Sequence, residues 1–229
     1  LDSGKISTTE RYTFATDGVA AGQDMVENVF GSAAAGNSTV GIWAGGQDTF
    51  AITRTRKYTY ATDLQGPGTN LAGSAVKAFH AACGTSTNGY FGAGTDGSVV
   101  KTVKTYTYAT DAVGNGTDLA NAARQALSAC GDLTRGKFRG GALVGDVVTD
   151  VSDVYTYSGD TTASSQVLPQ PRSALAAAAN ATLGLTSGGG SYLATTVKNP
   201  WATDVDASGT NLIDGRIRHI GVSSTPGHF

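Results

Sequence analysis

Short apolar runs recur along the chain, separated by stretches of Thr, Ser, Asp and Gly. Three kinds can be told apart. The first is flanked by glycine, as in Val40-Gly41-Ile42-Trp43-Ala44-Gly45-Gly46 and Asn88-Gly89-Tyr90-Phe91-Gly92-Ala93-Gly94, with further copies at 135–141 and 183–189. Such runs predict buried strands whose glycines allow close backbone approach. The second alternates, as in Arg54-Thr55-Arg56-Lys57-Tyr58-Thr59-Tyr60. Thr and Tyr suit a pleated surface, and alternation sets Tyr58 and Tyr60 on one face and Thr59 on the other. A Thr-Asp pair follows as a turn signal. Gly66-Pro67-Gly68 and Gly114-Asn115-Gly116 then read as loop.

The third kind is alanine-rich and occupies 76–82, 124–130 and 172–178, with 216–222 in the last slot. Residues 174–179 have helix propensity. The run is short, however, and follows Pro169 and Pro171, and its slot elsewhere holds Val76, Phe79 and Ile217. The expectation is a strand where only small side chains fit, with a helix as the alternative.

These runs repeat as a set. Tyr12-Thr13-Phe14-Ala15-Thr16-Asp17 returns at Tyr58 and Tyr106, in variant form at Tyr155, and worn at Pro200-Trp201-Ala202-Thr203-Asp204. The steps between the tyrosines are 46, 48 and 49 residues. A unit of that length with three or four strands is the size of a propeller blade. The order of glycine pair, Tyr strand, turn and Arg-bearing strand resembles the kelch repeat, in a divergent form without the tryptophan usual after the turn. Arg124, Arg172 and Arg216 hold the arginine slot; Val76 and Glu27 depart from it. The Tyr-Thr-Tyr-Ala-Thr-Asp wording is also similar to repeats of bacteriophage tail-fibre-like and bacterial surface proteins.

The expected fold is all-β, a kelch-like β-propeller of five blades of about 47 residues. Residues 1–229 form one repeat domain, with units at about 11–56, 57–104, 105–153, 154–198, and 199–229 plus 1–10. The Tyr and alanine elements occur five times and the Gly-Gly element four times. The two ends of the chain are therefore complementary, and N- and C-terminal strands are expected to close the ring. The rival is an open array completed by a neighbouring subunit.

Composition narrows the function. Glycine accounts for 32 of 229 residues and charged residues for 15%, below the usual ~25%. With five prolines and no Gly-X-Y period, collagen is excluded. No run of ~18 apolar residues predicts a membrane-spanning helix. A net charge of −2 gives no bulk attraction to nucleic acid or an anionic membrane.

Candidate chemistry is sparse. His80, His219 and His228 lack metal-ligand spacing. Cys83 and Cys130 share one repeat slot and read as small buried hydrophobes. Asp204-Val205-Asp206-Ala207-Ser208-Gly209 opens like a calcium loop, yet Gly215 stands where that loop needs its final Glu. Asp17, Asp63, Asp111, Asp160 and Asp204 form a column better explained by turns than by catalysis. Lys137, Arg139 and Asp132 are the polar residues expected at a propeller mouth if the chain were an enzyme.

No catalytic, cofactor or metal site is expected. The candidate partner or glycan contacts are Arg54, Arg56, Lys57, Lys101, Lys104 and Trp201. The charges serve otherwise as edge protection on outer Tyr strands, and Trp201 as a space-filler in the worn unit. The functional expectation is a non-enzymatic, extracellular structural or adhesive protein of a phage appendage or bacterial surface filament. Its partners would be copies of itself and cell-surface glycans. The alternative is a carbohydrate-binding propeller with one site per blade.

Overall fold

The computed structural model describes residues 7–13, 16–26, 29–47, 52–71, 78–217 and 221. β1 (Glu10–Thr13) and β2 (Gly18–Ala21) form a two-stranded antiparallel sheet. Four four-stranded antiparallel sheets follow. The first holds β3 (Ala33–Gly36), β4 (Val40–Ala44), β5 (Thr55–Thr59) and β6 (Leu64–Gly68). The second holds β7 (Ala81–Gly84), β8 (Asn88–Gly92), β9 (Val103–Thr107) and β10 (Ala112–Gly116). The third holds β11 (Ser128–Gly131), β12 (Arg135–Arg139), β13 (Ser152–Thr156) and β14 (Thr161–Ser165). The fourth holds β15 (Ala176–Ala179), β16 (Leu183–Ser187), β17 (Thr196–Pro200) and β18 (Ala207–Ser208).

Strands lie in chain order across each sheet. The first strands β3, β7, β11 and β15 pack against one another in succession. They surround a common axis and the sheets radiate from it, which is a β-propeller. The alanine run at 176–179 is a strand, as expected, because inner strands crowd at the axis and leave room only for small side chains. β1 and β2 carry the Tyr run and the strand after its turn, the third and fourth strand slots of a further blade.

Two expectations are corrected. Gly66-Pro67-Gly68 and Gly114-Asn115-Gly116 are not loop; they end the outermost strands β6 and β10. An outermost strand has one open side, so it tolerates a residue without a backbone N–H such as Pro67. The Tyr strands are consequently third of four, interior to the sheet. Charges on them protect no edge. A blade runs from alanine strand to outer strand, at 33–68, 81–116, 128–165 and 176–208, so a unit cut at the tyrosine straddles two blades. Ring closure by the terminal strands falls largely on 218–220 and 222–229, which lie outside the described residues.

The core lies between blades. Ile42 and Ala44 of one sheet meet Phe91, Tyr106 and Tyr108 of the next. Tyr90 and Val103 meet Phe138 and Tyr155 in the same way. Each large side chain so buried contributes roughly 1.5–3 kcal/mol. The second tyrosine of each run lies over second-strand glycines of its own blade. A Cβ on Gly41 would stand 2.9 Å from the Tyr60 hydroxyl, and one on Gly89 3.1 Å from that of Tyr108. The glycine pairs have a separate cause. Gly140 and Gly141 take φ of +62° and +111°, and a Cβ on Gly141 would come within 2.7 Å of the Gln125 carbonyl. From this bend the Gly141 N–H donates to the Arg172 carbonyl of the next blade at 2.8 Å.

Candidate functional site

The lead-in to each inner strand contains one residue with left-handed backbone: Gly31, Phe79, Ala126 and Ala174, at φ of +68°, +53°, +53° and +52°. The Phe79 N–H donates to the Gly31 carbonyl, Ala126 to Phe79, and Ala174 to Ala126, each at 2.7 Å. A belt of backbone hydrogen bonds thus passes from blade to blade around the axis. For non-glycine residues this conformation costs about 1–2 kcal/mol, and the belt geometry holds them in it.

A cavity of about 780 Å³ opens at this end of the axis, lined by Phe30, Phe79, Gln125, Asp146 and Ser173 among others. Phe30 and Phe79 meet edge to face with ring centroids 5.7 Å apart. In the same lining the Gln125 Nε2 donates to Asp146 Oδ1 at 3.2 Å, tying the loop after β12 to the mouth. The mouth therefore combines an aromatic pair with a hydrogen-bonded polar pair.

His80 borders the same cavity but is 5% exposed and sits beside Phe91, in the slot that Leu127 and Leu175 fill elsewhere. Neither ring nitrogen makes a hydrogen bond of good geometry. Burial lowers its pKa from 6.5 to about 4, partly offset by the Ala44 carbonyl. The unfolded chain binds this proton at 6.5 and the folded protein only near 4. Stability is therefore full above pH 6.5 and falls as the pH drops toward 4, by about 3 kcal/mol at the limit. His80→Leu is expected to flatten that dependence in denaturant titrations at pH 4.5 and 7.5. An unchanged pH slope would contradict it.

Ionic side chains join blades rather than converge at the mouth. The turn aspartates after the Tyr strands adopt left-handed backbone, with φ of +55° at Asp63, +55° at Asp111, +47° at Asp160 and +54° at Asp204. Each reaches the preceding blade. Arg11 pairs with Asp63 at 3.2 Å and Lys57 with Asp111 at 2.8 Å. The Thr117 N–H donates to Asp160 at 3.0 Å. Lys137 pairs with Asp204 and Arg139 with Asp206. Burial pushes the Asp204 carboxyl up, but Lys137 outweighs it and holds the group below the usual range. The Tyr155 hydroxyl does the same for Asp160.

Lys137 and Arg139 are each 1% exposed, and Asp132 caps the turn after β11 through the Thr134 and Arg135 N–H groups. These three do not meet at the mouth. The calcium-like run gives both its leading aspartates to cations of the neighbouring blade.

Arg124 and Arg172 are the buried arginines of the repeat. The Arg124 guanidinium donates to the Gly140 and Phe138 carbonyls and pairs with Asp153 at 2.5 Å. Arg172 donates to Gly188 and Thr195.

The expected contact residues are dispersed. Arg54 and Lys101 are exposed, and Arg56 and Lys57 half-buried. Lys104 is buried and bonded to Asn115 at 2.5 Å. Trp201 is 4% exposed, with its Nε1–H on the Asn180 carbonyl at 2.9 Å and its ring against Gly184. It takes the place of the second tyrosine and is no exposed anchor. Cys83 and Cys130 are buried and unbridged. His219 and His228 lie outside the described residues. Sequence reasoning missed the mouth residues Phe30, Phe79 and Gln125. The available signal was Phe79 itself, a bulky residue in a slot that holds Ala126 and Ala174 in other blades.

No protein family profile and no curated protein matches this chain in sequence. Among solved structures, one described as "Structure of YjhT" is similar with a TM-score of 0.79 at 10% identity, over 94% of this chain and 81% of that one. At that identity the likeness shows the propeller fold alone.

Proposed function

We propose that the protein is a non-enzymatic structural and adhesive module of an extracellular assembly, a phage appendage or bacterial surface filament built from kelch-like blades. The observation that carries this reading is the exposure of large apolar side chains at the end of the propeller that bears the mouth. Val144 is 73% and Val147 58% exposed on the loop between β12 and β13, and Tyr192 is 68% exposed on the loop between β16 and β17. These loops leave the sheets at the end where the inner strands begin. Where such exposed apolar groups lie together they mark contact with other macromolecules. The ion pairs described above link blades to one another, which suits a rigid scaffold.

Sedimentation of the full chain tests the proposal. A symmetric oligomer or filament is expected, dispersed by Val144→Asp with Val147→Asp. A strictly monomeric particle at all concentrations would sink the assembly claim.

A further inference from the structure

We infer that the axial mouth is a single binding site for a neutral sugar ring, such as the terminal residue of a cell-surface glycan. This rests on the adhesive reading and names its ligand.

The argument starts from Phe79. Its slot is occupied by glycine or alanine in the other described blades, and left-handed backbone disfavours a bulky side chain. Strain of this sort persists where the surroundings hold it, and it clusters at ligand sites. The side chain is half-buried beside Phe30 and borders an open cavity of about 780 Å³. That volume lies within the usual range of ligand pockets and leaves room beyond one sugar ring for a linked one.

The rest of the lining sets Gln125, Asp146 and Ser173 among apolar Leu127, Ala142 and Leu175, and carries little charge. Gln125 uses its Nε2 on Asp146, which leaves its carbonyl oxygen as an acceptor for a ligand hydroxyl. Ser173 adds a hydroxyl. Asp146 is the charged side chain among the described lining residues, and His80 behind the wall stays neutral above pH 5. A sugar ring has the matching duality: an apolar C–H face for the phenylalanines and hydroxyls for the amide, hydroxyl and carboxylate. The single carboxylate disfavours an anionic sugar. Among the described residues the aromatic pair occurs once, which sets one site on this axis rather than the one-per-blade arrangement the repeats suggest.

The test is calorimetric titration of the full chain with galactose, glucose, mannose and N-acetylglucosamine, with N-acetylneuraminic acid as the anionic probe. At least one neutral sugar is expected to bind one per chain with Kd of about 1 mM. Phe79→Ala is expected to weaken it about tenfold. That variant installs the residue found at 126 and 174, so its thermal midpoint should equal or exceed the parent's. Gln125→Ala is the second variant and should also weaken binding.

Absence of binding by all four neutral sugars would overturn the inference, as would binding indifferent to both substitutions or a preference for N-acetylneuraminic acid. Sedimentation of the same samples separates the two ideas. An oligomer that binds no sugar removes the ligand assignment alone; a monomer removes the assembly reading.

Discussion

Replacing Arg124 with methionine is expected to destabilise the protein by about 3–5 kcal/mol, because it leaves the Asp153 carboxylate buried without its cation. Both side chains are fully buried, and the Asn121 N–H groups that remain on Asp153 carry no net charge. The guanidinium also holds the end of β12 through two carbonyls, which would be left without a donor. Denaturant midpoints at pH 7 measure the loss. Adding Asp153→Leu to Arg124→Met should restore much of it, since a buried pair replaced by apolar groups is often neutral. A single variant within about 1 kcal/mol of the parent would show that the arginine is no keystone of its blade.

Trp201→Ala carries the second large effect, again about 3–5 kcal/mol, from the lost side chain and the cavity left behind. The ring covers Gly184, its N–H is bonded to Asn180, and Arg135 lies over it at 5.8 Å. Trp201→Tyr should lie close to the parent, because tyrosine fills this position in the blades containing Tyr60, Tyr108 and Tyr157. Thermal melts of the two variants decide it. If Trp201 were a surface anchor, the alanine variant would melt with the parent and lose only binding.

The repeat was legible because its causes are local. Glycine pairs mark a left-handed bend, Tyr-Thr alternation marks a two-faced strand, and Thr-Asp marks a tight turn. What sequence reading lost was relational. Gly66-Pro67-Gly68 looks like a loop until its pairing with Thr55 to Lys57 is seen. Lys137 and Asp204 stand 67 residues apart and meet only because consecutive blades pack side by side. Trp201 could be read as a contact or as a space-filler, and it fills space, keeping the tyrosine pattern with a larger ring. Phe79 was hidden inside an apolar run, and only the backbone belt shows that it faces the axis while His80 beside it faces the core.

The proposed role places this propeller outside the cell as part of an assembled surface. Immunogold labelling of the organism or virus that makes it, viewed by electron microscopy, tests this most directly. The account predicts regular label along a virion appendage or cell-surface filament. Label dispersed through the cell interior, with none on any surface structure, would contradict it.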